Sequence, residues 1–279
     1  MVSTVATNIL EQIVQTKRKE VEQARRQAPL ADLQGQLPGA PPVRNFFAAC
    51  SRPPRRLVNV IAEIKRASPS AGIMREAFDP PEIARQYAAA GVNAISVLTD
   101  REYFGGCLDD LRAVRAAVEL PLLRKDFIID PYQVYEARAA GADAILLIAE
   151  CLKPAELMDL MILAASLKLT SLLEVHGMER LLRVRSLIGF PHACYSLLGI
   201  NNRDLTTFQT DVGTTVRLAE LVEDKSVLVS ESGVKTRQDV ERLRSAGVNT
   251  VLIGETLLRA ADITAKIEEL FGKIEDVNS

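Results

Sequence analysis

From about Leu57 onward, short apolar runs alternate with longer segments that carry apolar residues at helical spacing. Eight of the short runs are typical of strands, at 58–64, 94–99, 121–125, 144–149, 170–175, 196–201, 226–231 and 250–254. Their starts lie mostly about 25 to 35 residues apart, which suits repeated strand–helix units with buried parallel strands. The pattern therefore predicts an α/β protein.

A faint internal repeat supports this count of units. Ala90-Gly-Val-Asn-Ala-Ile95, Ala140-Gly-Ala-Asp-Ala-Ile145 and Ala246-Gly-Val-Asn-Thr-Val251 each combine a helix C-terminus, a glycine stop and the start of a strand. Eight such units close naturally into a (β/α)8 TIM barrel. A doubly wound open sheet is the main alternative, but the glycine-rich fingerprint usual after its first strand is missing from this sequence.

The N-terminal region differs from the rest of the chain. Residues 8–27 carry apolar side chains at Ile9, Ile13 and Val21, near helical spacing, and predict an amphipathic helix with a charged outer face. Proline and glycine between Pro29 and Pro42 indicate a connecting loop. We therefore expect a helical extension and linker over 1–50, followed by a single catalytic barrel domain over 51–279.

Composition narrows the possible functions. The 279 residues are 48% hydrophobic and 25% charged, with a net charge of -2, which is typical of a soluble globular protein. Basic stretches interleaved with aromatics are missing, so we expect no nucleic-acid partner. An apolar stretch of about 18 residues is also missing, so we expect no membrane partner and a cytoplasmic location. A monomer is one of several oligomeric states compatible with the sequence.

The sequence contains few residues that are suited to metal binding or redox chemistry. Four widely spaced cysteines form no CxxC pair, and the only histidines are His176 and His192. We therefore expect no metal site and no disulfide framework. His176 lies two residues beyond a charged strand end and is either a lining residue of the site or a structural one.

Charged side chains recur at the ends of the predicted strands. Glu63 and Lys65 share one face of the first strand, and Lys125, Glu174 and Glu231 end the third, fifth and seventh strands. Burying charges is costly unless partners or a substrate compensate. Because a barrel places its active site at the carboxyl ends of the strands, we expect these groups around one mouth, with structural ion pairs plugging the barrel top as the alternative.

The sixth strand adds Asn201 and Arg203 to this set, and the last two strands lead into glycine-containing turns. The turns read Ser230-Glu-Ser-Gly233 and Ile253-Gly254-Glu255-Thr256. Backbone N–H groups in such turns favour an anion, and barrels often bind phosphate after strands seven and eight. The sequence therefore predicts a phosphate site there, to which Ser68 after the first strand contributes a hydroxyl.

Six motifs, in this order, resemble those of the indole-3-glycerol phosphate synthase family of tryptophan biosynthesis. They are Ile61-Ala-Glu-Ile-Lys-Arg-Ala-Ser-Pro-Ser70, Val97-Leu-Thr-Asp100 with Tyr103-Phe-Gly-Gly106, Leu123-Arg-Lys-Asp-Phe-Ile-Ile-Asp130, Leu173-Glu-Val-His176, Gly199-Ile-Asn-Asn-Arg-Asp-Leu205 and Ser230-Glu-Ser-Gly233. The resemblance extends from the N-terminal helix to about Phe271. It implies a carboxy-lyase that converts 1-(2-carboxyphenylamino)-1-deoxyribulose 5-phosphate into indole-3-glycerol phosphate, carbon dioxide and water, without a cofactor.

The same resemblance implies roles for the charged groups. Lys125 corresponds to the general acid and Glu174 to the general base, while Lys65 binds the substrate carboxylate and shares the acid role in a way the sequence leaves open. Glu63 and Asn201 orient these groups, and Arg203 and Glu231 support the network. The resemblance also implies that the substrate phosphate is bound by Ser68, Ser232, Gly233, Gly254 and Glu255. The candidates to hold the benzene ring are Phe104, Phe127 and Leu173. The alternative is that the phenylalanines are ordinary residues of the hydrophobic core.

Two other functions remain open on the residues alone. One is a different phosphosugar-binding barrel enzyme, either an isomerase or a Schiff-base aldolase, because such enzymes share the phosphate site and the barrel lysines. The other is a non-catalytic barrel that binds a phosphorylated metabolite. The combination of Glu63, Lys65, Lys125 and Glu174 favours an enzyme, because a binding module needs no matched acid and base.

Overall fold

Eight parallel strands close into a barrel in the computed structural model, which describes residues 9–69, 71–204 and 207–274. The strands are β1 (Asn59–Ile64), β2 (Ala94–Leu98), β3 (Leu122–Lys125), β4 (Ala144–Ile148), β5 (Thr170–Val175), β6 (Ser196–Asn201), β7 (Leu228–Glu231) and β8 (Thr250–Ile253). Each strand pairs with the next along the chain, and β1 pairs with β8 to close the ring. The predicted (β/α)8 barrel is confirmed, with strand limits within about two residues of those expected.

Helices alternate with these strands around the outside of the barrel. They are α4 (Pro80–Ala89), α5 (Leu108–Ala117), α6 (Pro131–Ala139), α7 (Pro154–Ser166), α8 (Met178–Val184), α9 (Gly213–Leu218), α10 (Arg237–Ser245), α11 (Glu255–Leu258) and α12 (Ile263–Phe271). Asp79, Asp130, Thr236 and Asp262 accept a backbone N–H at four helix starts. These caps fix where the chain turns from strand into helix.

Side chains along each strand point alternately into the barrel and toward the helices, which gives the protein two hydrophobic cores. On β5, Leu172 belongs to the core inside the barrel, whereas Leu173 packs in the core between strands and helices. Glu174 therefore points inward, as does Glu63, which lies two residues after the inward Ile61 of β1. Because the side-chain period of a strand is two, the inward direction of these charges follows from their position in the strand.

Between residue 9 and the barrel, the described part of the chain forms three α-helices and a short 3-10 helix at Leu37–Gly39. The α-helices are α1 (Ile9–Gln27), α2 (Leu30–Gln36) and α3 (Phe46–Ser51). The predicted helix over 8–27 corresponds to α1, except that Asn8 lies outside the described residues. The division of the chain at residue 50 stays a prediction.

The loop predicted between Pro29 and Pro42 is wrong over 30–36, where α2 forms. Leu33 of this helix is buried against Val21 and Tyr132, and this packing outweighs the local tendency of Gly35 to interrupt a helix. Pro29 stands at the helix start, where a missing N–H costs nothing.

Helix α3 closes the end of the barrel where the strands begin. Phe46 and Cys50 pack into the core inside the barrel and are almost completely buried. The carbonyl of Cys50 accepts hydrogen bonds from Asn59 at the start of β1 and from Thr250 at the start of β8, at 3.1 and 2.6 Å. The opposite end, where the strands finish, is left for the functional groups.

Helix α1 is attached at that opposite end by a buried lysine. Lys17 Nζ lies 2.9 Å from Asp100 Oδ2 in the loop after β2 and 2.9 Å from Asp126 Oδ1 directly after β3. Burial lowers the pKa of Lys17, but the charges of Asp126 and Asp100 outweigh it and raise the pKa above its ordinary value. The ammonium is therefore charged, and it connects α1 to the loop that follows Lys125.

Replacing Lys17 by Met is expected to destabilise the protein by about 3 to 5 kcal/mol, because it leaves the buried Asp100 without its ion-pair partner and Asp126 with Arg124 alone. Urea unfolding measures the loss as a lower midpoint with an unchanged slope. The exposed Lys19 of the same helix offers a matched control, and Lys19→Met is expected to unfold like the parent protein. Equal midpoints for the two variants would contradict this account of how α1 is held.

Candidate active site

A cavity opens at the end of the barrel where the strands finish, and α1 covers part of it. We call it the barrel cavity. It is lined by charged groups from the strand ends and by apolar groups around them, namely Ile9, Leu10, Ile13, Glu63, Lys65, Ser68, Pro69, Leu98, Phe104, Lys125, Asp126, Phe127, Leu146, Ile148, Glu174, His176, Asn201, Arg203, Phe208 and Ser232. Most of the candidate residues are thus brought together at one mouth, as the charged strand ends predicted.

Lys125, at the end of β3, lies between two carboxylates. Its Nζ is 2.8 Å from Glu231 Oε2 on β7 and 3.3 Å from Glu174 Oε2 on β5. Burial lowers the pKa of Lys125, but Glu231, Glu174 and Glu63 raise it well above its ordinary value. In the protein without substrate, Lys125 therefore carries its proton at neutral pH.

Glu174 and Glu231 are both buried and both lie within 3.3 Å of Lys125 Nζ, and two buried carboxyl groups beside a single ammonium hold one proton between them. Burial raises the pKa of Glu231 to about 8, and the neighbouring Glu174 adds to that rise. Burial also raises the pKa of Glu174, but Lys125 and His176 outweigh it, so that its pKa falls below the ordinary value. Glu174 is the ionised partner, and Asn201 helps to lower its pKa.

A second ion pair lies at the end of β1, between Glu63 in the strand and Lys65 directly after it. Lys65 Nζ is 2.6 Å from Glu63 Oε1, and both side chains are mostly buried. Burial raises the pKa of Glu63, but Lys65 and Lys125 outweigh it and lower the pKa. The Tyr87 hydroxyl of α4 donates to the Glu63 carbonyl at 3.1 Å, which fixes the end of the strand. Glu63 thus connects the two lysines electrostatically.

Two aromatic rings flank the charged groups in the barrel cavity. The ring centroids of Phe104 and Phe127 lie 6.3 Å apart with a tilt of 37°, and both side chains line the cavity. This spacing is within the range of favourable aromatic contacts. Leu173 does not join them, because it faces the helices on the outer side of β5. Its expected contact with a bound ring is therefore wrong.

A second cavity adjoins the first across Glu63, Lys65, Arg203 and Ser232, and we call it the rim cavity. Its walls come from the ends of β7 and β8 and the turns that follow, together with the loop after β6: Glu63, Lys65, Ala71, Arg203, Phe208, Gln209, Thr210, Ser232, Gly233, Val234, Lys235, Leu252, Ile253, Gly254, Glu255, Thr256 and Arg259. The two cavities have volumes of about 130 and 700 Å³. Together they offer adjoining spaces for a ring and for a charged tail of one ligand.

The turn after β7 is bent by two successive residues with positive φ. Ser232 has φ 64° and Gly233 has φ 85°. Consecutive peptide groups in such a conformation make concave sites that bind anions. Arg203 lies at the same rim, with its guanidinium 3.8 Å from Glu255 Oε2. The predicted phosphate residues Ser232, Gly233, Gly254 and Glu255 therefore surround one cavity, whereas Ser68 lines the barrel cavity instead.

Gly254, at the end of β8, allows a close approach to Glu63. A Cβ at this position would lie 2.5 Å from Glu63 Oε1 and 2.9 Å from Glu63 Cβ. Gly254→Ala is therefore expected to displace the carboxylate from Lys65 and to lower kcat/KM about tenfold or more, as misplaced active-site groups do.

The matched control is Gly177→Ala, because Gly177 also precedes a helix after a strand and its added Cβ would meet open space. Steady-state kinetics on both variants make the comparison. Equal kcat/KM for the two would contradict the proposed close packing at Glu63.

Sequence reasoning missed several charged residues at the mouth, among them Asp126, which lines the barrel cavity, and Glu150 in the turn after β4. Glu150 carries the same signal as the others, since it follows the apolar run Leu146-Leu-Ile-Ala149. Its carboxylate lies near His176, which the structure places in the wall of the barrel cavity. Within the described ranges, no group of three or more His, Cys, Asp or Glu is arranged to hold a metal ion. No helix in those ranges is long and apolar enough to cross a membrane.

Comparison with known proteins gives a clear match in sequence. The family model for indole-3-glycerol phosphate synthase matches residues 10–270. The indole-3-glycerol phosphate synthase of Rhodopirellula baltica is 45% identical over 262 residues, which cover 94% of this chain and 98% of the relative.

Solved structures match at the level of the fold. Thiamine phosphate pyrophosphorylase from Pyrococcus furiosus has a TM-score of 0.54 at 16% identity, covering 77% of this chain and 95% of that chain. A mutant tryptophan synthase alpha-subunit from the same organism has a TM-score of 0.55 at 15% identity, covering 76% and 97%. At these identities the likeness concerns the barrel alone.

Proposed function

The chain belongs to the indole-3-glycerol phosphate synthase family, and from this premise we propose how its barrel mouth performs the reaction of that family. The protein is a carboxy-lyase of tryptophan biosynthesis that converts 1-(2-carboxyphenylamino)-1-deoxyribulose 5-phosphate into indole-3-glycerol phosphate. Carbon dioxide and water are the other products. The isomerase, aldolase and non-catalytic alternatives gain no support from the comparisons.

The observation that carries the proposal is the position of Lys125 between Glu174 and Glu231, 3.3 and 2.8 Å from their carboxylates. Ring closure places negative charge on the C2 carbonyl oxygen of the ribulose, and that oxygen needs a proton. The charged ammonium of Lys125 supplies it as general acid. Glu174 and Glu231 hold Lys125 in place, and Lys125 becomes a neutral amine when its proton is transferred to that oxygen.

Glu174 acts as the general base in the later dehydration. Its low pKa keeps it ionised at neutral pH, and it lines the barrel cavity beside Lys125. Glu174 takes a proton from the substrate, and one of the ammonium groups of Lys65 and Lys125 gives a proton to the C2 hydroxyl, which then departs as water. Asn201 orients the carboxylate, and Glu231 supports Lys125 from a fully buried position.

Lys65 binds the carboxylate of the anthranilate ring before it leaves as carbon dioxide. Glu63 holds the Lys65 ammonium at 2.6 Å and is replaced or joined by the substrate carboxylate on binding. Phe104 and Phe127 contact the benzene ring in the barrel cavity. The ring and its carboxylate thus face Lys125, the group that starts the reaction.

The phosphate occupies the rim cavity. The left-handed turn at Ser232 and Gly233, the Gly254 and Glu255 segment and the Arg203 guanidinium support this placement, with Ser68 at the edge of the barrel cavity. Binding energy from the phosphate would position the distant ring, which is how enzymes use remote groups. The partner is therefore a small phosphorylated molecule, and a cytoplasmic location follows as part of the proposal.

Indole fluorescence tests the reaction directly, because the chain contains no Trp and its own background is low. Mixing the purified protein with the carboxyphenylamino deoxyribulose phosphate is expected to give a steady rise in indole emission. Bound substrate without any rise would overturn the assignment of the reaction. Borohydride added to the mixture is expected to leave the mass of the protein unchanged, because Lys125 donates a proton and forms no imine that could be reduced to a covalent adduct.

A further inference from the structure

His176 and Glu150 lie beside the proposed base and have no role in the reaction described above. His176 follows β5 directly, two residues after Glu174, and Glu150 lies in the turn after β4. Their side chains are 13% and 16% exposed, so both polar groups are largely removed from water. Groups buried to this extent are costly unless they are paired with each other or with a third group.

The imidazole of His176 lies between two carboxylates. Its Nδ1 is 3.2 Å from Glu150 Oε2, and its Nε2 is 3.4 Å from Glu174 Oε1. The His176 backbone N–H donates to Glu150 Oε1 at 3.1 Å, which fixes the two loops relative to each other. At these distances a charged imidazolium is attracted to both carboxylates, whereas a neutral ring is not. The geometry therefore favours the charged ring.

The neighbours of the ring strengthen this preference. The titratable groups that face it are Glu150 and Cys151 after β4, Glu174 on β5 and Glu231 on β7. Burial lowers the pKa of His176, but the carboxylates outweigh burial and raise its pKa above the ordinary value. Burial also raises the pKa of the Cys151 thiol, which stays neutral.

The carboxyl pair of Glu174 and Glu231 holds one proton, and its position decides which group can act as a base. Lys125 is closer to Glu231 than to Glu174, at 2.8 against 3.3 Å. By itself Lys125 would therefore favour an ionised Glu231 and a protonated Glu174. The imidazolium of His176 contacts Glu174 on its other oxygen and reverses that preference.

We propose that His176, held by Glu150, is a positioning residue that keeps the shared proton on Glu231 and leaves Glu174 ionised as the base. The inference rests on the role of Glu174 under the proposed function. His176 itself transfers no proton in the reaction. Glu150 acts only through His176, because it holds the ring in place and charged.

The first test is the pH dependence of kcat in His176→Asn. Without the imidazolium the shared proton moves toward Glu174, so kcat is expected to fall about tenfold near pH 6.5. Activity is expected to recover as the pH rises through about 8, where the pair loses its proton. KM is expected to change by less than about twofold, because a merely loosened site would alter binding as well. His192→Asn, at the exposed second histidine, is the matched control and is expected to follow the parent profile.

The second test is a double-mutant cycle with Glu150→Gln, which leaves the imidazole in place. Glu150→Gln alone is expected to shift the profile in the same direction by a smaller amount. The double variant is expected to match His176→Asn, since Glu150 has nothing left to act on. Additive losses would overturn the relay from Glu150 through His176 to Glu174.

Nitrogen NMR of the ring provides a readout that needs no activity. The chain has two histidines, so His176→Asn and His192→Asn assign both imidazoles. The His176 ring is expected to carry both protons at neutral pH and to titrate at higher pH in the parent protein than in Glu150→Gln. A neutral His176 ring at pH 6.5 would overturn the inference, even if His176→Asn failed to fold.

The proposed function and this inference fail in different ways. If Glu174→Gln kept full activity, the assignment of the base would be wrong. If Glu174→Gln were inactive while His176→Asn kept the parent pH profile, only the role of His176 would be wrong.

Discussion

Lys125→Ala is expected to lower kcat by at least about a thousandfold, because the general acid and the central positive charge of the site are lost together. Lys125 Nζ contacts Glu231 and Glu174 at 2.8 and 3.3 Å, so the substitution also leaves two buried carboxylates facing each other. The pair, which already holds one proton, is then expected to take up a second one, so that the variant remains folded. Neither carbon dioxide nor indole should form, since ring closure precedes both products.

Single-turnover mixing with detection of carbon dioxide and indole fluorescence measures this result. Lys125→Met keeps most of the buried side-chain stem, and it separates loss of the charge from loss of packing. Lys19→Ala, at an exposed position on α1, is the control for a lysine substitution as such and is expected to retain activity. Turnover near the parent rate in Lys125→Met would contradict the acid assignment and transfer that role to Lys65.

Glu174→Gln is expected to lower the rate of indole formation by about a hundredfold to ten thousandfold, the range typical of a lost general base. Glutamine has nearly the same shape, so packing in the barrel is preserved, but it cannot accept the substrate proton. Because Glu174 is proposed to act after ring closure, carbon dioxide is expected to be released in the first turnover without a matching rise in indole fluorescence. This separation of products distinguishes Glu174 from Lys125.

Glu179→Gln is the matched control, because Glu179 lies just beyond the same strand on α8 with an exposed side chain. It is expected to behave like the parent protein in both signals. Simultaneous loss of carbon dioxide and indole in Glu174→Gln would show that Glu174 is needed for ring closure. Full retention of both would remove it from the mechanism.

Sequence reasoning succeeded where the signal is local. The strand limits followed from apolar runs, and inward positions such as Glu63 and Glu174 followed from the two-residue period of a strand. It failed for α2, where Gly35 and the flanking prolines indicated a loop. That helix is stabilised by Leu33 packing against Tyr132, a residue about a hundred positions away, and no local pattern contains such a contact.

The candidate site, like the fold, was only partly predictable from the sequence. The sequence predicted that Lys125, Glu174 and Glu231 lie at one mouth of the barrel, because the ends of its parallel strands meet there. It left open whether the pKa of Lys125 rises or falls, since burial and neighbouring carboxylates act in opposite directions. Distances decide between them, and the two carboxylates within 3.3 Å raise it.

By itself, the sequence determined the barrel, the inward direction of the charged strand ends and the family to which the chain belongs. These three properties depend on the spacing of apolar residues and on the order of short motifs, and both can be read directly from the sequence. Only the tertiary structure decided that Lys17 holds α1 over the barrel cavity, that Leu173 faces away from it, and that Glu150 and His176 meet at the base. These depend on distances between residues far apart in the chain or on exact strand phase, and electrostatic energies change steeply over such distances.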